Sequence, residues 1–489
     1  MPKRTAVIDI GSNSIRLAIY QRTSRYGFHL ICSRRSVVKI ASGGYSDGGE
    51  IPQGGMRRAY EALHSFMETI GEYKVHNIFC IATSALRDAP NRRDFIGLVR
   101  KNLGLSIKII DGDKEAFYGA IATLNLLPIE DGITVDIGGG STDMALLKGG
   151  RVVATHSMDL GTVRLSELRA SRGEEYIRAY IAEKLSSIPD SFVCDTVIGI
   201  GGTLRALSKA IMKKNSYPFD KLHAFRYSIE DETEFIERVS LSPIEELPKL
   251  NIKKSRYDTI REGASIFSAI LPILGAKSVI TSGAGIREGV FLSHILRNDS
   301  LRFPKETNPS IRSICDRLDP LKLPGGKKIS MGKRLFDLLS DRFGGDDEEK
   351  RLLTDALRIS AVGRLLTIYK EHLHAFYIAS QELNYGYTHS QMLTIAIMLR
   401  SGGKDIYHKP FFKEYRNLLP AKKKINWMTF IYILTVSIAE NAPHADIVFS
   451  IDGDTLILSS DTPTYLLEEA LESIEIPEGM QMEISAPSE

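Results

Sequence analysis

The chain has 489 residues, of which 43% are hydrophobic and 25% are charged, with 63 Lys and Arg against 60 Asp and Glu. This is the composition of an ordinary globular protein, and its length predicts about three domains, which excludes a small scaffold held by disulfides. The four cysteines have no C-x-x-C spacing, so neither a zinc site nor a disulfide framework is indicated.

Neither secretion nor membrane insertion is expected. The N-terminal segment reaches Asp9 too early for the apolar stretch of about 7 to 15 residues in a signal peptide. The longest apolar run, Trp427 to Ala439, is shorter than the roughly 20 residues that cross a bilayer, and it predicts a buried helix. We therefore expect a cytoplasmic protein without membrane binding.

An internal repeat organises the first part of the chain. The segments TAVIDIGSNSIRLAIY (5–20) and ITVDIGGGSTDMALL (133–147) both predict a strand, a Gly/Ser turn and a second strand, with an aspartate at the end of the first strand. Two similar α/β lobes, 1–125 and 126–300, are expected to place these turns across one cleft.

Other elements of the two lobes follow from hydrophobic periodicity and turn residues. In the first lobe we predict helices at 54–73 and 92–104 and strands at 77–86 and 105–112. In the second we predict a helix at 174–188, a strand at 195–203, a helix at 204–214 and a strand, turn and helix over 278–297.

The remaining chain differs in character. A polar stretch with two prolines predicts a linker near 300–308, and helical periodicity predicts a mostly α domain over 308–440. Residues 441–489 predict a small acidic α/β appendix, formed by a hairpin, a helix and a closing strand.

Charge is distributed unevenly along the chain. Residues 440–489 contain 12 acidic and no basic residues, which leaves a net charge of +15 on residues 1–439. Seven basic residues cluster in segment 404–424: Lys404, Lys409, Lys413, Arg416, Lys422, Lys423 and Lys424. A polyanionic ligand is one interpretation, and a solvated surface stripe is the alternative.

Four glycine-rich turns follow predicted strands, at 11–14, 138–142, 199–203 and 282–285. Consecutive backbone N–H groups in such turns bind phosphate oxygens, whereas an isolated glycine turn is more often a tight corner. The candidate phosphate-binding residues in the first two turns are Ser12, Asn13, Gly138, Gly139, Gly140, Ser141 and Thr142.

Charged side chains accompany these turns. Asp9, Asp136, Asp143 and Glu115 are carboxylates suited to hold Mg²⁺ beside a phosphate, although each also fits a turn cap or an exposed helix start. Arg87 and Arg205 follow strands and are candidates for phosphoryl contacts, with a surface position as the alternative. Neither a P-loop nor a G-x-G-x-x-G fingerprint occurs, which excludes P-loop NTPases and disfavours nicotinamide chemistry.

Six motifs in order resemble those of the exopolyphosphatase and guanosine pentaphosphate phosphohydrolase family of the actin-like superfamily. They are DIGSNSIRL (9–17), TSALRDA (83–89), DGDKEAFYGA (111–120), DIGGGSTD (136–143), GIGGTLRAL (199–207) and GAGIREG (283–289). The resemblance implies an α/β fold with a two-lobed actin-like, ribonuclease H-like core and a helical, HD-related C-terminal domain.

The resemblance also implies roles for individual residues. Glu115 matches the family's catalytic base, Asp136 and Asp143 match positions that hold Mg²⁺, and Arg87 matches an arginine that contacts substrate. The phosphate chain is expected at the turns 9–14 and 136–142, and the chain is expected to form a homodimer. Asp9, at the position equivalent to Asp136 in the repeat, is a further candidate metal ligand.

Two departures from the family pattern stand out. Asp143 replaces the usual Glu, which shortens the side chain and favours a metal contact through water. In the helical domain, LRISAVGRLL (357–366) carries Ser360 and Ala361 where relatives have a His and an acid, so an independent metal phosphohydrolase is not expected there.

Exopolyphosphatase activity with Mg²⁺ is the function expected from these observations, with inorganic polyphosphate as substrate and no specific nucleic-acid partner. Hydrolysis of the 5′ γ-phosphate of guanosine pentaphosphate is the nearest alternative. A sugar or acetate kinase and a non-catalytic polyphosphate or alarmone sensor are the others. The retained Glu115 and Asp136 disfavour the sensor.

Overall fold

Two compact units, Met1–Thr307 and Asn308–Glu489, make up the chain. A computed structural model describes residues 3–40, 49–319, 326–403 and 409–485. The boundary between the units falls within the polar, proline-containing stretch.

The first lobe of unit 1 is built on a five-stranded mixed sheet of order β3-β2-β1-β4-β5. Its strands are β1 (Arg4–Ile10), β2 (Ile15–Arg22), β3 (Phe28–Ser36), β4 (Asn77–Ala82) and β5 (Ile107–Ile109). Its helices are α1 (Gln53–Glu72), α2 (Ser84–Asp88), α3 (Arg92–Leu103) and α4 (Gly112–Leu126). The apolar face of α1, with Leu63 and Phe66 buried, packs into the same core as β1 and β2, as its helical spacing requires.

The second lobe repeats the arrangement on a six-stranded mixed sheet of order β10-β11-β9-β6-β7-β8. Its strands are β6 (Gly132–Ile137), β7 (Thr142–Lys148), β8 (Arg151–Met158), β9 (Thr196–Ile200), β10 (Arg226–Ser228) and β11 (Ser278–Thr281). Its helices are α5 (Thr162–Leu185), α6 (Gly201–Lys214), α7 (Ile229–Leu241), α8 (Ile260–Ile273) and α9 (Ile286–Ile295), with 3₁₀ turns at Ile244–Glu246 and Lys254–Arg256.

The predicted repeat is confirmed strand by strand. In the first hairpin Asp9 pairs with Arg16, and in the second Asp136 pairs with Asp143 at the equivalent register. The first strand of each hairpin also pairs with a parallel strand on its other side: β1 pairs with β4, and β6 pairs with β9. Because the carboxyl ends of parallel strands meet at one edge of a sheet, Asp9 and Asp136 both lie where ligands bind in open α/β sheets.

Helices α4 and α9 pack against each other. A Cβ atom at Gly289 of α9 would lie 1.9 Å from the carbonyl oxygen of Tyr118 in α4, so the two helices approach too closely there for any side chain. This contact fixes the start of α4, which carries Glu115, against the start of α9.

Unit 2 is largely helical, as expected. Its helices are α10 (Pro309–Leu318), α11 (Gly326–Phe343), α12 (Asp347–Arg358), α13 (Glu371–Glu382), α14 (His389–Arg400), α15 (Lys409–Glu414), α16 (Lys422–Asn441) and α17 (Tyr465–Leu471). Two 3₁₀ turns occupy Val362–Leu365 and Ser401–Gly403. Strands β12 (Ile447–Asp452), β13 (Thr455–Ser460) and β14 (Gln481–Ser485) form a separate sheet.

The apolar run that begins at Trp427 lies in α16, and most of its side chains are buried, which confirms the predicted buried helix. The described portions of the chain contain no helix with both the length and the apolar character that a bilayer crossing requires.

Several predicted boundaries are wrong. The strand expected at 77–86 ends at Ala82, and the short helix α2 starts at Ser84, where Arg87 N donates to Thr83 O at 2.9 Å. Helix α6 starts at Gly201 within the glycine turn, and strand β5 covers only Ile107–Ile109. The helix expected from 174 starts at Thr162, with a break at Gly173, whose φ of 79° interrupts the helical backbone.

Candidate active site

The turns of the two repeats face each other across a cleft between the lobes. Each turn is closed by the same hydrogen bond, from Gly11 N to Ser14 O at 3.2 Å and from Gly138 N to Ser141 O at 2.9 Å. A Cβ atom at Gly139 would lie only 2.9 Å from the Cβ of Ser12, so the two turns nearly touch. Glycine is needed at 139 to allow this approach. The cleft has an empty volume of about 900 Å³, part of which is open to solvent.

Helix α5 orients the backbone of the second turn. Thr162 N donates to Gly138 O at 3.0 Å, Val163 N donates to Gly139 O at 2.8 Å, and Arg164 Nε donates to Gly140 O at 2.9 Å. In a trans peptide the N–H points opposite to the preceding carbonyl. The N–H groups that follow these three carbonyls therefore point away from α5, which presents a row of donors suited to phosphate oxygens.

The third turn brings backbone against a carboxylate. Gly201 has a φ of 77°, and a Cβ atom there would lie 2.0 Å from Oδ1 of Asp136. The start of α6 thus forms one wall of the Asp136 site.

The fourth turn is held by two charged side chains, Arg205 and the buried Glu288. Arg205 donates from Nε to Ser282 O at 2.8 Å and from Nη2 to Ala284 O at 2.9 Å. Glu288 accepts from Gly285 N at 2.8 Å and from the Tyr20 hydroxyl of the first lobe at 2.5 Å. Burial raises the pKa of Glu288, but Arg287, Tyr20 and Arg205 outweigh it, so its pKa lies below the usual value.

Asp9 and Asp136 line the cleft from opposite lobes. Burial raises the pKa of both carboxyl groups, while Arg16 opposes this shift at Asp9 and Arg205 opposes it at Asp136. In the described part of the chain neither carboxylate takes part in a hydrogen bond. These two acids are thus half-buried and incompletely neutralised.

Glu115 lies in the first turn of α4, whose N-cap Asp111 accepts a hydrogen bond from Lys114 N. Its side chain retains 16% exposure, and its Oε2 atom lies 3.9 Å from Nη1 of Arg87. Both atoms are buried without a hydrogen-bond partner among the described residues. Burial raises the pKa of Glu115 well above its usual value, and Asp143, Asp136 and Asp9 raise it further, against the opposing effect of Arg87.

Asp143 lies near Glu115 but outside the lining of the cleft. Its Oδ1 accepts from the Ser157 hydroxyl at 2.5 Å and its Oδ2 accepts from the Ser141 hydroxyl at 2.9 Å. Burial raises the pKa of Asp143 to about 7, although both hydroxyl groups act in the opposite direction. The carboxylate is only 2% exposed and is not part of the cleft lining. Its position suits support of Glu115 and Ser141 more directly than contact with a ligand.

The carboxylates of the cleft fit the chemistry of Mg²⁺. The described residues contain no group of three or more His, Cys, Asp or Glu side chains that could hold a metal ion by themselves. Mg²⁺, however, keeps several waters and binds through one or two carboxylates together with substrate phosphates. The incompletely neutralised Asp9 and Asp136 provide such a pair.

Among the described residues, five arginines line the cleft, and Arg205 alone of these is a predicted site residue. The others are Arg16 and Arg35 from the first lobe and Arg256 and Arg287 from the second. Burial and repulsion, chiefly from Arg287, lower the pKa of Arg16 to about 10, and burial with repulsion from Arg35 and Arg205 lowers that of Arg256 to about 10. The positive charges thus lie close enough to repel one another, and a bound anion would reduce this repulsion.

Signals for some of these arginines were present in the sequence. Arg16 occupies the position in the first repeat that Asp143 occupies in the second, and Arg35 pairs with Arg16 across β2 and β3. Arg287 stands in the fourth glycine turn motif. Arg256 had no such signal, because the 3₁₀ turn at Lys254–Arg256 reaches the cleft only through the tertiary fold, where its guanidinium packs on Gly202.

The cleft brings most of the predicted site residues together. The residues in its lining are Asp9, Ser12, Asn13, Glu115, Asp136, Gly138, Gly139, Ser141 and Arg205. Four lie outside the lining: Arg87, Gly140, Thr142 and Asp143. The Thr142 hydroxyl donates to Leu160 O at 2.5 Å and is fully buried, which makes it a support of the turn.

The basic segment 404–424 belongs to unit 2. Lys404 and Asp405 lie outside the described residues, as does the side chain of Lys409. Lys413 and Arg416 are exposed, whereas Lys424 forms an ion pair with Glu349 at 2.7 Å.

In segment 357–366, which is expected to differ from relatives, Ser360 accepts a hydrogen bond from Lys328 Nζ at 2.6 Å. The HD relationship of this unit stays a prediction.

Comparison with known proteins identifies the family. A model of the Ppx/GppA phosphatase family matches residues 18–298, more than half of the chain. The crystal structure of an Aquifex aeolicus member of that family is 28% identical, with a TM-score of 0.52, and the match covers 61% of this chain and 99% of that one.

A second solved structure shares the fold. The exopolyphosphatase from Cytophaga hutchinsonii is 22% identical, with a TM-score of 0.54, over 60% of this chain and 98% of that one. The expected α/β, actin-like core of two mixed sheets is therefore confirmed. With the family motifs gathered in one cleft, this chain belongs to the Ppx/GppA phosphatase family.

Proposed function

We propose that this chain is an exopolyphosphatase, which hydrolyses the terminal phosphate of inorganic polyphosphate in the cleft between the two lobes. Membership of the Ppx/GppA phosphatase family supports phosphohydrolase chemistry. The observation that carries the choice of substrate is the cleft lining, in which five arginines from both lobes surround a pair of aspartates and Glu115.

The lining favours a ligand made of phosphate alone. A nucleoside needs an aromatic or broad apolar surface, and among the described residues of the cleft lining there is no aromatic side chain. The guanidinium groups of Arg16, Arg35, Arg256 and Arg287 instead match the repeated negative charges of a phosphate chain, since the fork of an arginine binds two phosphate oxygens at once. Arg205 adds positive charge to the cleft, while its Nε and Nη2 hold the fourth turn.

Glu115 acts as the general base in this proposal. Its carboxyl group, which lines the cleft and retains 16% exposure, accepts a proton from a water molecule that attacks the terminal phosphorus in line with the bridging oxygen. A raised pKa makes the ionised carboxylate a stronger base than an exposed glutamate.

Other groups of the chain stabilise the phosphoryl oxygens. The N–H groups of residues 139–141 donate to the terminal phosphate, and the arginines neutralise charge on the shortened polyphosphate as it leaves. Asp9 and Asp136 would hold Mg²⁺, which supplies charge neutralisation at the phosphate when bound. The shortened polyphosphate then moves by one phosphate along the arginines, which brings its new terminal phosphate to Glu115 for the next cycle.

Guanosine pentaphosphate is the second candidate substrate, because a second cavity adjoins the cleft. The two share Ser12, Asn13 and Thr259, and the second cavity also contains Tyr257 and Ile244. An aromatic ring and an aliphatic side chain beside a phosphate site fit a nucleoside that carries a phosphate chain.

Phosphate release from long-chain polyphosphate with Mg²⁺, measured beside guanosine pentaphosphate, tests the proposal. Glu115→Gln should lower kcat by about 10²- to 10⁴-fold and leave KM nearly unchanged, since a base acts mainly on the chemical step. Glu68→Gln, on the exposed face of α1, is the matched control and should behave as wild type. Activity on the nucleotide alone would assign the chain to the second candidate. Near-normal turnover by Glu115→Gln would contradict the role of the base.

A further inference from the structure

Asp88 connects the two lobes beside the cleft. It is the last residue of α2 in the first lobe, and its Oδ2 accepts a hydrogen bond from Nη2 of Arg164 in the second lobe at 2.6 Å. Its Oδ1 accepts from Nε of Arg87 at 3.3 Å. One carboxylate therefore binds two arginines that belong to different lobes.

Each arginine leads to a part of the candidate active site. Arg164 donates from Nε to the carbonyl oxygen of Gly140, in the turn whose N–H groups face away from α5. Arg87 directs Nη1 toward Oε2 of Glu115 at 3.9 Å. A continuous set of contacts thus runs from the phosphate turn of one lobe through Asp88 to the candidate base of the other.

The gap between Arg87 and Glu115 needs an explanation. The distance of 3.9 Å is too long for a hydrogen bond, yet both facing atoms are buried and have no hydrogen-bond partner among the described residues. The ionised form of Glu115 attracts an arginine this close strongly, so the pair would close onto each other if nothing else held the arginine. The contact between Asp88 and Nε of Arg87 provides the opposing attraction.

We propose that Asp88 is a positioning residue that keeps Arg87 apart from Glu115 and ties the phosphate turn to the first lobe. The separation that it preserves prevents a direct hydrogen bond between Arg87 and Glu115, which would otherwise lower the basicity of the carboxylate. The kinetic part of this inference rests on the proposed role of Glu115. The tie between the lobes does not depend on it.

The Asp88→Asn variant tests the proposal, and Asp159→Asn is its matched control. Asp159 lies 3.6 Å from the same Nη2 atom of Arg164, but it is 57% exposed and has no contact with Arg87 among those of the described residues. Asp88→Asn should lower kcat on polyphosphate by about 10- to 100-fold with a smaller change in KM, because the base and the phosphate turn lose their alignment. Asp159→Asn should stay within about twofold of wild type.

A double-mutant cycle separates positioning of Arg87 from a general structural defect. If Asp88 acts by holding Arg87, the Asp88→Asn/Arg87→Gln double variant should lose little more activity than Arg87→Gln alone. Losses that simply multiply would overturn the positioning role, as would an Asp88→Asn enzyme with wild-type kcat. Asp88→Glu, which keeps the charge, should recover part of the activity.

Hydrogen exchange tests the tie between the lobes without using activity. Peptides that cover 138–141 and the first turn of α5 should exchange faster in Asp88→Asn than in Asp159→Asn and wild type. Equal exchange in the three proteins would overturn the tie. A wild-type protein without polyphosphatase activity would instead refute the proposed function, and exchange would then decide the role of Asp88.

Discussion

The Asp143 carboxylate is held by two serine hydroxyl groups, and Ser157→Ala removes one of them. Burial raises the pKa of Asp143 from 3.8 to about 7, so folding favours the protonated form. The ionised form is therefore destabilising, and stability falls as the pH rises from about 4 through 7. The difference between 3.8 and about 7 corresponds to about 4 kcal/mol at high pH.

The Ser157→Ala variant should lose more stability when Asp143 is ionised than when it is protonated. A hydrogen bond to a charged group contributes about 1.5–3 kcal/mol, whereas one between neutral groups contributes about 0.5–1.5 kcal/mol. At pH 9 we expect a loss of about 1.5–3 kcal/mol, and at pH 5 a loss that is smaller by about 1 kcal/mol. The pKa of Asp143 should rise further, because the hydroxyl lowers it in the wild type.

Urea-induced unfolding at pH 5 and pH 9, followed by circular dichroism in the presence of EDTA, measures this difference. Ser208→Ala is the matched control, because Ser208 is fully buried and accepts a hydrogen bond from the neutral Thr281 hydroxyl at 2.7 Å. Its loss of stability should be the same at both pH values. If Ser157→Ala also gives equal losses at pH 5 and pH 9, the assignment of the pH dependence to Asp143 is refuted.

Two further predictions concern the aspartates of the cleft. Magnesium chloride should raise the melting temperature more at pH 8 than at pH 5.5, as measured by differential scanning calorimetry. Burial raises the pKa values of Asp9 and Asp136, so protons compete with the metal at the lower pH. An equal shift at both pH values would contradict this. Gly201→Ala should lower the free energy of unfolding by at least about 1–2 kcal/mol because of the positive φ at this position. It should also lower kcat more than tenfold, because the new Cβ atom would displace Asp136. Gly149→Ala is the control: its φ is 53° and the space around it is open, so it should affect stability alone. Equal kcat values for the two glycine variants would show that the Asp136 contact does not matter.

Local chemistry explains why the core of the site could be predicted. Asp9 and Asp136 end β-branched strands and precede glycine turns, so their position relative to the turn follows from the strand and the turn alone. The repeat then implied two equivalent turns, and the contact between Gly139 and Ser12 agrees with that expectation. Glu115 followed from the motif at the start of α4.

Element boundaries at the cleft could not be predicted as well. The sequence at 195–203 is apolar and glycine-rich, which fits a longer strand, but α6 begins at Gly201 because its first turn packs against Asp136. At 83–88 the short α2 replaces the end of the expected strand, and this places Arg87 and Asp88 beside the cleft. In both cases contacts with distant residues decide the local conformation.

The two hairpins, the alternation of strands and helices in unit 1, the helical character of unit 2 and the carboxylates at the turns could all be predicted from the amino-acid sequence. These follow from short-range steric and hydrophobic preferences, which act over a few residues. The convergence of Arg16, Arg35, Arg256 and Arg287 on the cleft became visible in the folded protein, as did the contacts of Asp88 with Arg87 and Arg164. Their convergence depends on sheet register and on the packing of the two lobes, which bring together side chains separated by up to 271 positions in the chain.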